Sequence, residues 1–474
     1  MTALDLLQLA RTKPIHFVGI GGAGMLPLAE LVLQAQGRVT GCDSAETAGA
    51  RQLRERGVQV EVGHAPEHVA GCGAVIVTSA VAPDHPEIEA ARAAGIPVLK
   101  RAQALGEIVN RGAVVGVAGT HGKTTTTALT TSVLAAGGLE PTGLVGGRVP
   151  AWGGNLRRGG DQLFVVEADE YDRSFLTLRP AVAVVTTLEA DHLDIYGTLQ
   201  GVEDAFHAFL SSVPRNGLIV GCGDDAGVGR LLPRLASGGP RIVTYGLNAG
   251  SMLRAEEVRA SGLESRFAVR EEGRLLGGVR LRVPGVHNIR NALAAIAVAR
   301  HLGIEWPAIA RGLESYAGVE RRFERIGEAG GVMVVDDYAH HPTELTATLR
   351  AARSAFPERR LVAVFQPHLY SRTRDFAAEF GRALALADLV FVTDVYPARE
   401  RPIEGVTGEL LVKTAAEAGA TVHYLPDRAE VVECLLRELR PGDLCLTLGA
   451  GDLNEAAREL YAALGGDGRE DRRA

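Results

Sequence analysis

No apolar run in the chain reaches the ~18 residues that a membrane-crossing helix needs, so no membrane partner is expected. The first residues, MTALDLLQLARTKP, lack the charged-then-apolar pattern of a secretory signal, and the cytoplasm is the expected location. Cysteine is sparse: Cys42, Cys72, Cys222, Cys434 and Cys445 are scattered, odd in number and form no C-x-x-C. Disulfides and zinc ligation by these cysteines are therefore not expected, and reduced core thiols are. An excess of positive charge is also missing, with 50 Lys and Arg against 57 Asp and Glu. No basic stripe interleaved with aromatics occurs either, so nucleic acid is not an expected partner. No serine or cysteine stands at a strand-to-helix elbow, which argues against Ser–His–Asp or Cys–His chemistry.

What is present is the composition of an ordinary globular enzyme, 46% apolar and 23% charged over 474 residues. Strand-like and helix-like stretches alternate throughout, which predicts an α/β fold with parallel sheets covered by helices. Three blocks emerge, at residues 1–112, 113–318 and 319–464, with a polar, glycine-containing tail at 465–474 expected to be disordered. The first block reads as a strand at 15–20, a helix at 22–36, strands at 38–41 and 74–78 and a helix at 86–95. The second has strands at 113–118, 163–166, 181–186 and 217–220, hairpins over 250–281 and a helix at 288–302. The third has strands at 331–336, 360–365, 388–393 and 443–448. A monomer or weak homodimer is expected.

The stretch AGTHGKTTTT (118–127) joins an apolar strand to a helix expected over 124–134. Gly119 and Gly122 let backbone N–H groups approach phosphate oxygens at a helix N-terminus, where the helix dipole favours anions. Thr120, His121 and Thr125 complete the loop, Lys123 supplies a charge to the outer phosphates, and the Thr124 hydroxyl suits a Mg²⁺ ligand. Val117 stands where the usual phosphate loop has its first glycine, so this is a shorter variant. ATP is the expected ligand.

A second glycine pattern, Gly19, Gly21 and Gly24 with Gly22 among them, follows the first strand, and Asp43 follows the second. That context recognises a pyrophosphate and a ribose hydroxyl. It does not distinguish a nicotinamide dinucleotide from a UDP-sugar. VEADEYDRSF (166–175) and LEADHLD (188–194) each follow an apolar strand of the second block. Their Glu167 and His192 are candidates to complete, with Thr124, a Mg²⁺ site, the alternatives being a surface ion pair and a structural histidine. In the third block, DDYAHHP (336–342), with Thr343 the expected helix cap, and FQPHLYSRTRDF (365–376) follow strands expected to be neighbours. They would present Asp336, Asp337, Tyr338, His340, His341, His368, Arg372 and Arg374 into one crevice suited to carboxylate or phosphate groups.

With GVHNIRNALAA, RRFE, DVYPARE and LGAGD added, these ordered motifs resemble the Mur ligase family over all but the tail. The resemblance implies a Rossmann-like N-terminal domain for a UDP-sugar, a central P-loop-type ATPase domain and a Rossmann-like C-terminal domain that closes over both. It implies ATP-driven joining of L-alanine to UDP-N-acetylmuramate through an acyl phosphate, with a tripeptide-adding recycling activity as the alternative. By position, Lys123 and Thr124 resemble the ATP loop, and Glu167 and His192 the magnesium ligands. Asn288 and Asn291 resemble the adenine contacts, Arg322 a phosphate contact and Asp336 a ribose contact. Tyr338, His340, His368 and Arg372 fall where amino acid and acyl acceptor meet, and Lys123, His192, Arg322, His340 and Arg372 are the expected catalytic set. Three positions depart from the pattern. Tyr171 replaces a serine common in alanine-adding members, Leu369 replaces an arginine, and no lysine follows His192, with only His207 in the neighbourhood.

Overall fold

The computed structural model describes residues 4–78, 81–398 and 400–466, so residues 467–474 of the expected tail lie outside the described residues. Three sheets organise it. The first contains β1 (Ile15–Val18), β2 (Val39–Asp43), β3 (Gln59–Val62), β4 (Ala74–Val77) and β5 (Val98–Lys100), all parallel in the order β3-β2-β1-β4-β5. Chain order reverses at β1, so the loop leaving it opens into the crevice where such sheets bind ligands.

The second sheet is built from β6 (Ala113–Ala118), β7 (Thr142–Val149), β8 (Gly154–Arg157), β9 (Leu163–Glu167), β10 (Val182–Val185), β11 (Leu218–Cys222) and β12 (Arg241–Gly246). A ribbon of β13 (Leu253–Ser261), β14 (Glu264–Glu271) and β15 (Arg274–Leu281) extends it. Its order, β15-β14-β13-β12-β11-β10-β6-β9-β7-β8, puts the reversal at β6, between β10 and β9. Residues Val114, Val115, Val117 and Ala118 of β6 are all at most 1% exposed. Helices on both faces explain why this strand reads as one apolar run rather than an alternation.

The third sheet contains β16 (Glu324–Ala329), β17 (Val332–Asp337), β18 (Leu361–Phe365), β19 (Leu389–Val392), β20 (Val422–Tyr424) and β21 (Leu444–Leu448), in the order β16-β17-β21-β18-β19-β20. Only β16 runs antiparallel here. The chain divides into two compact units, one of Met1–Glu256, Ala268–Gly278 and Arg290–Tyr316, the other of Glu257–Phe267, Val279–Ile289 and Ala317–Ala474.

The expected α/β fold of three domains with parallel sheets is borne out, with local corrections to its elements. The helix expected at 22–36 is Leu26–Gln34, because Gly19 (φ +76°) and the Gly22 N–H to Gly19 carbonyl bond make a turn first. Pro27 then stands in the first helical turn, where its missing N–H costs nothing. The expected cap Thr343 is displaced by His341: its Nδ1 accepts from Thr343 N at 3.4 Å, Pro342 opens the helix and Glu344 reaches back to close a capping box. The strand ends at β17 and β18 are not neighbours, since β21 is inserted between them. Strands β3, β5, β7, β8, β12, β16 and β20 escape a reading of apolar runs. Several are short and half exposed, as at β3, β5 and β20, so they carry too few apolar residues to show.

Candidate active site

The phosphate-type loop leaves the central strand β6 and enters the helix Lys123–Ala136 through Gly122 in the left-handed conformation (φ +83°). The ends of β10 brace it from the side. Thr120 N donates to the Thr187 carbonyl (2.9 Å), His121 N to Thr187 Oγ1 (2.9 Å), and Glu189 N to Thr120 Oγ1 (2.9 Å). The threonines of the helix are hidden; Thr127 and Thr131 return their hydroxyls to carbonyls four residues back, which makes their burial tolerable, whereas the hydroxyls of Thr126 and Thr130 have no hydrogen-bond partner among the described residues.

Lys123 and Thr124 face two different carboxylates. Lys123 Nζ donates to the Gly119 carbonyl (2.7 Å), the Thr120 carbonyl (3.2 Å) and Glu170 Oε1 (2.8 Å). Burial works against its charge, but Glu170 and Asp169 outweigh burial and raise its pKa. Thr124 Oγ1 stands 2.9 and 3.0 Å from the two oxygens of Glu167, whose Oε2 also accepts from Gly146 N at 2.7 Å. His192, itself left-handed (φ +52°), has Nε2 3.8 Å from Glu170 Oε1 and its ring edge-on to Tyr171. The structure thus joins Thr124 to Glu167, and Lys123 to Glu170 with His192 alongside. His207 hydrogen-bonds the Arg234 carbonyl.

Glu170 was not singled out from the sequence, although it lies inside EADEYDRSF. Burial raises its pKa to about 7 against the opposing pull of Lys123. Its Oε2 has no hydrogen-bond partner among the described residues. The signal that could have found it is spacing: three residues beyond Glu167, it follows the end of β9, which runs beside β6.

The glycine loop after β1 is held by Asp43, whose Oδ2 accepts from Gly21 N (3.0 Å). A Cβ at Gly21 would run into Thr47, so the position requires glycine. A cavity of about 250 Å³ in the first unit connects this loop with the phosphate side, lined by Ala23, Gly24, Arg101, Gly146, Glu167 and Asp169 among others. In the helix Val286–His301, Asn288 Nδ2 donates to the Pro284 carbonyl. The Oδ1 of Asn291 would meet any Cβ at Gly122 at 2.7 Å, so the asparagine stands directly on the phosphate loop.

In the second unit the expected crevice is only partly realised. Tyr338 and His340 are edge-on (5.2 Å), His340 and His368 are 5.8 Å apart, and Arg372 Nη1 lies 3.5 Å from His368 Nδ1. His340 Nδ1 faces the Tyr338 carbonyl, which only accepts, so its proton sits there and Nε2 is the acceptor. Burial depresses His340 to about 3, leaving the ring neutral. Asp336 and Asp337 turn inward instead. Asp336 binds Thr447 Oγ1 (2.6 Å) and Arg321 Nε (3.1 Å) with its side chain 2% exposed. Asp337 accepts from Phe323 N and Ala339 N, and burial raises it to about 6. His341 packs on Phe376, and Arg374 is an exposed partner of Asp375. Both strand-end carboxylates therefore organise the loops rather than fill the crevice.

Arg321, passed over in favour of Arg322, ties Asp336 to the Gly449 and Gly451 carbonyls of LGAGD. Arg322 lies over the Tyr338 ring and 3.7 Å from Glu344. Leu369, where an arginine was expected, takes φ +70° as it enters the helix Tyr370–Asp375.

A phosphate loop at the reversal point of one parallel sheet and a glycine loop at that of another define an α/β protein that handles nucleotide phosphates. The chain matches the Mur ligase family models described as Mur ligase family, catalytic domain (residues 14–112), Mur ligase middle domain (117–299) and Mur ligase, glutamate ligase domain (321–451). A UDP-N-acetylmuramate–L-alanine ligase of Salinibacter ruber is 46% identical over 462 residues, 97% of each chain. One from a Geobacter species is 46% identical over 96% of this chain and 98% of its own. The crystal structure of a UDP-N-acetylmuramate–alanine ligase from Thermotoga maritima superposes with a TM-score of 0.81 at 30% identity, covering 96% of this chain and 99% of that one. A murein peptide ligase from Psychrobacter arcticus gives 0.70 at 26%, with coverage of 96% and 99%. The chain belongs to the Mur ligase family.

Proposed function

We propose that this chain is an ATP-dependent ligase joining L-alanine to the carboxylate of UDP-N-acetylmuramate, with release of ADP and phosphate, in peptidoglycan precursor synthesis. The observation that carries the reading is that one cavity is lined both by the glycine loop at Gly24 and by Glu167 beside the phosphate loop. A sugar nucleotide held by the first loop would extend its acid toward the second. The full-length alanine-adding relatives at 43–46% identity favour this over the tripeptide-adding alternative, whose solved structures are 26% identical over 96% of this chain and 31% identical over 65% of it.

The muramyl carboxylate would attack the γ-phosphorus in line, giving an acyl phosphate and ADP. The alanine amine would then attack the acyl carbon, and phosphate would leave. Lys123 and the N-terminal amides of its helix neutralise the transferring group. The hydroxyl of Thr124 beside the Glu167 carboxylate is an all-oxygen pair that fits Mg²⁺. These two, with His192 as a third candidate, would hold the ion, which when bound offsets repulsion between carboxylate and triphosphate. Asn288 and Asn291 are proposed for adenine and Arg322 for the phosphates. Asp336 would reach a ribose only by giving up Thr447 or Arg321. Tyr338, His340, His368 and Arg372 are proposed for alanine and the acyl acceptor. A neutral His340 with a free lone pair on Nε2 suits it to accept a hydrogen bond there, not to retain a proton.

The deciding experiment is phosphate release from ATP and Mg²⁺ with UDP-N-acetylmuramate, offered L-alanine or the L-Ala-D-Glu-diamino acid tripeptide. Release that requires the nucleotide sugar and L-alanine is expected. Release with the tripeptide alone would move the chain to the recycling activity. Asp43→Ala should weaken the nucleotide sugar about tenfold, the worth of one charged hydrogen bond, and leave ATP affinity unchanged. A loss of ATP binding instead would mean the two nucleotide loops are exchanged.

Glu170 adds a pH dependence. Its pKa lies above the ordinary carboxylate value, so the group is neutral below about 7 and an anion above it. The anion competes with phosphate for Lys123. ATP affinity should therefore fall several-fold as pH rises through about 7, beyond the fall seen in Glu170→Gln. Titrations of both proteins with ATP across that range test this, and identical pH profiles would rule it out.

A further inference from the structure

Beneath the glycine loop of the first sheet, four side chains converge that the proposed reaction does not use. His16 comes from β1, Cys42 from β2, His68 from the turn Pro66–Val69, and Glu87 from the first turn of the helix Pro86–Ala93. Their candidate ligand atoms all lie within 4.8 Å of one another. Glu87 is the hub: its Oε2 accepts from Cys42 Sγ at 3.0 Å, and its Oε1 stands 2.8 Å from His68 Nδ1 and accepts from Ala65 N at 3.2 Å. His16, Cys42 and Glu87 are at most 1% exposed.

His16 supplies the second observation. Its Nδ1 is 3.0 Å from Thr40 Oγ1, while its buried Nε2 has no hydrogen-bond partner among the described residues. That nitrogen points at Glu87 Oε2, 3.6 Å away, which is too far for a hydrogen bond and close to the ligand–ligand separation around one tetrahedral ion. His64 Nδ1 stands 3.2 Å from Cys42 Sγ, so a fifth donor adjoins the set.

We propose that His16, Cys42, His68 and Glu87 form a zinc site in the first domain, separate from the Mg²⁺ and nucleotide sites. Two imidazoles, one thiolate and one carboxylate are a closed zinc ligand set, with bonds of about 2.0–2.3 Å that slightly contracted side chains would provide. Charge balances as well: thiolate and carboxylate offset the dication, so a buried site carries no net charge. Binding releases the Cys42 thiol proton to solvent and moves the His68 proton from Nδ1 to Nε2, leaving both imidazoles neutral. Because Cys42 precedes Asp43, which holds Gly21, the ion would fix the strand end that carries the glycine loop.

The test uses the full chain, produced without a histidine tag, stripped with a chelator and titrated with Co²⁺. One equivalent should give a thiolate-to-cobalt charge-transfer band in the near ultraviolet together with strong visible bands of tetrahedral geometry. Zn²⁺ should bleach both, whereas excess Mg²⁺ should not, which separates this site from an oxygen-ligated one. Cys42→Ser should abolish the ultraviolet band, and Cys72→Ser, which alters a neighbouring thiol outside the set, should keep it. The protein as isolated should carry about one zinc per chain by elemental analysis. Absence of the charge-transfer band in the unmodified chain would overturn the proposal whatever the variants do, and so would a band that survives in Cys42→Ser.

Discussion

Lys123→Ala is expected to lower turnover by roughly 10³-fold or more, the range of single electrostatic contacts in phosphoryl transfer. The ammonium closes on the carbonyls of Gly119 and Thr120 and on Glu170, so it stands at the centre of the loop that would wrap the phosphates. Phosphate oxygens would replace these acceptors on binding, and the interaction should strengthen as charge develops on the transferring group. The substitution also removes the partner of a buried acid. Glu170, already raised to about 7, can answer by taking up a proton, so the fold should survive with a modest loss of stability. Lys123→Arg should not restore activity, because a planar fork does not fit where a compact point charge meets two carbonyls and a carboxylate. Coupled phosphate release checks the rate, and thermal unfolding checks the fold. A variant retaining a tenth of the activity would show that this loop does not hold the reacting phosphates.

Gly119→Ala should raise the ATP dissociation constant by about 100-fold, equivalent to about 2.7 kcal/mol. At φ +136° an L side chain is strained, a state that costs of order 1–3 kcal/mol, and the added Cβ would overlap Thr186 Oγ1 and stand 2.9 Å from Thr187 N. Those atoms belong to the brace after β10 that orients the loop, so relief of the overlap must move the amides proposed to meet phosphate. Gly138→Ala is the control. It also has a left-handed φ (+86°) but no atom within 4 Å of the new Cβ, so it should cost about 1 kcal/mol of stability and leave ATP affinity unaltered. Isothermal titration with ATP distinguishes the two. Equal effects from both substitutions would mean that strain alone, and not the brace, is what matters.

Most of the central machinery was legible because it depends on local rules. Glycine spacing, a lysine at the start of a helix and an apolar strand before it mark the strand–loop–helix proposed to hold phosphate without reference to anything distant, and the chain folds that segment as expected. The same holds for the glycine turn after β1, although Pro27 and the Gly19 turn delay the helix to Leu26. Strand neighbours were not legible. The last strand, β21, enters between β17 and β18, and no local feature of residues 444–448 announces that position.

The direction of each charged side chain was also settled only in three dimensions. DDYAHHP gives two aspartates, two histidines and a tyrosine, but not which of them turn inward. Asp336 and Asp337 do so because donors wait there: Thr447 and Arg321 for one, Phe323 N and Ala339 N for the other. Glu170 and the Glu87 cluster are likewise products of packing, since their partners lie on separate strands and helices. By itself the sequence determined the α/β class, the two glycine loops and the residue types available to each strand end, because hydrophobic periodicity and backbone permissiveness act over a few residues. The tertiary structure decided strand order, which carboxylates pair with which cations, and which groups shift their pKa values, because burial and electrostatic contact join residues far apart in the chain.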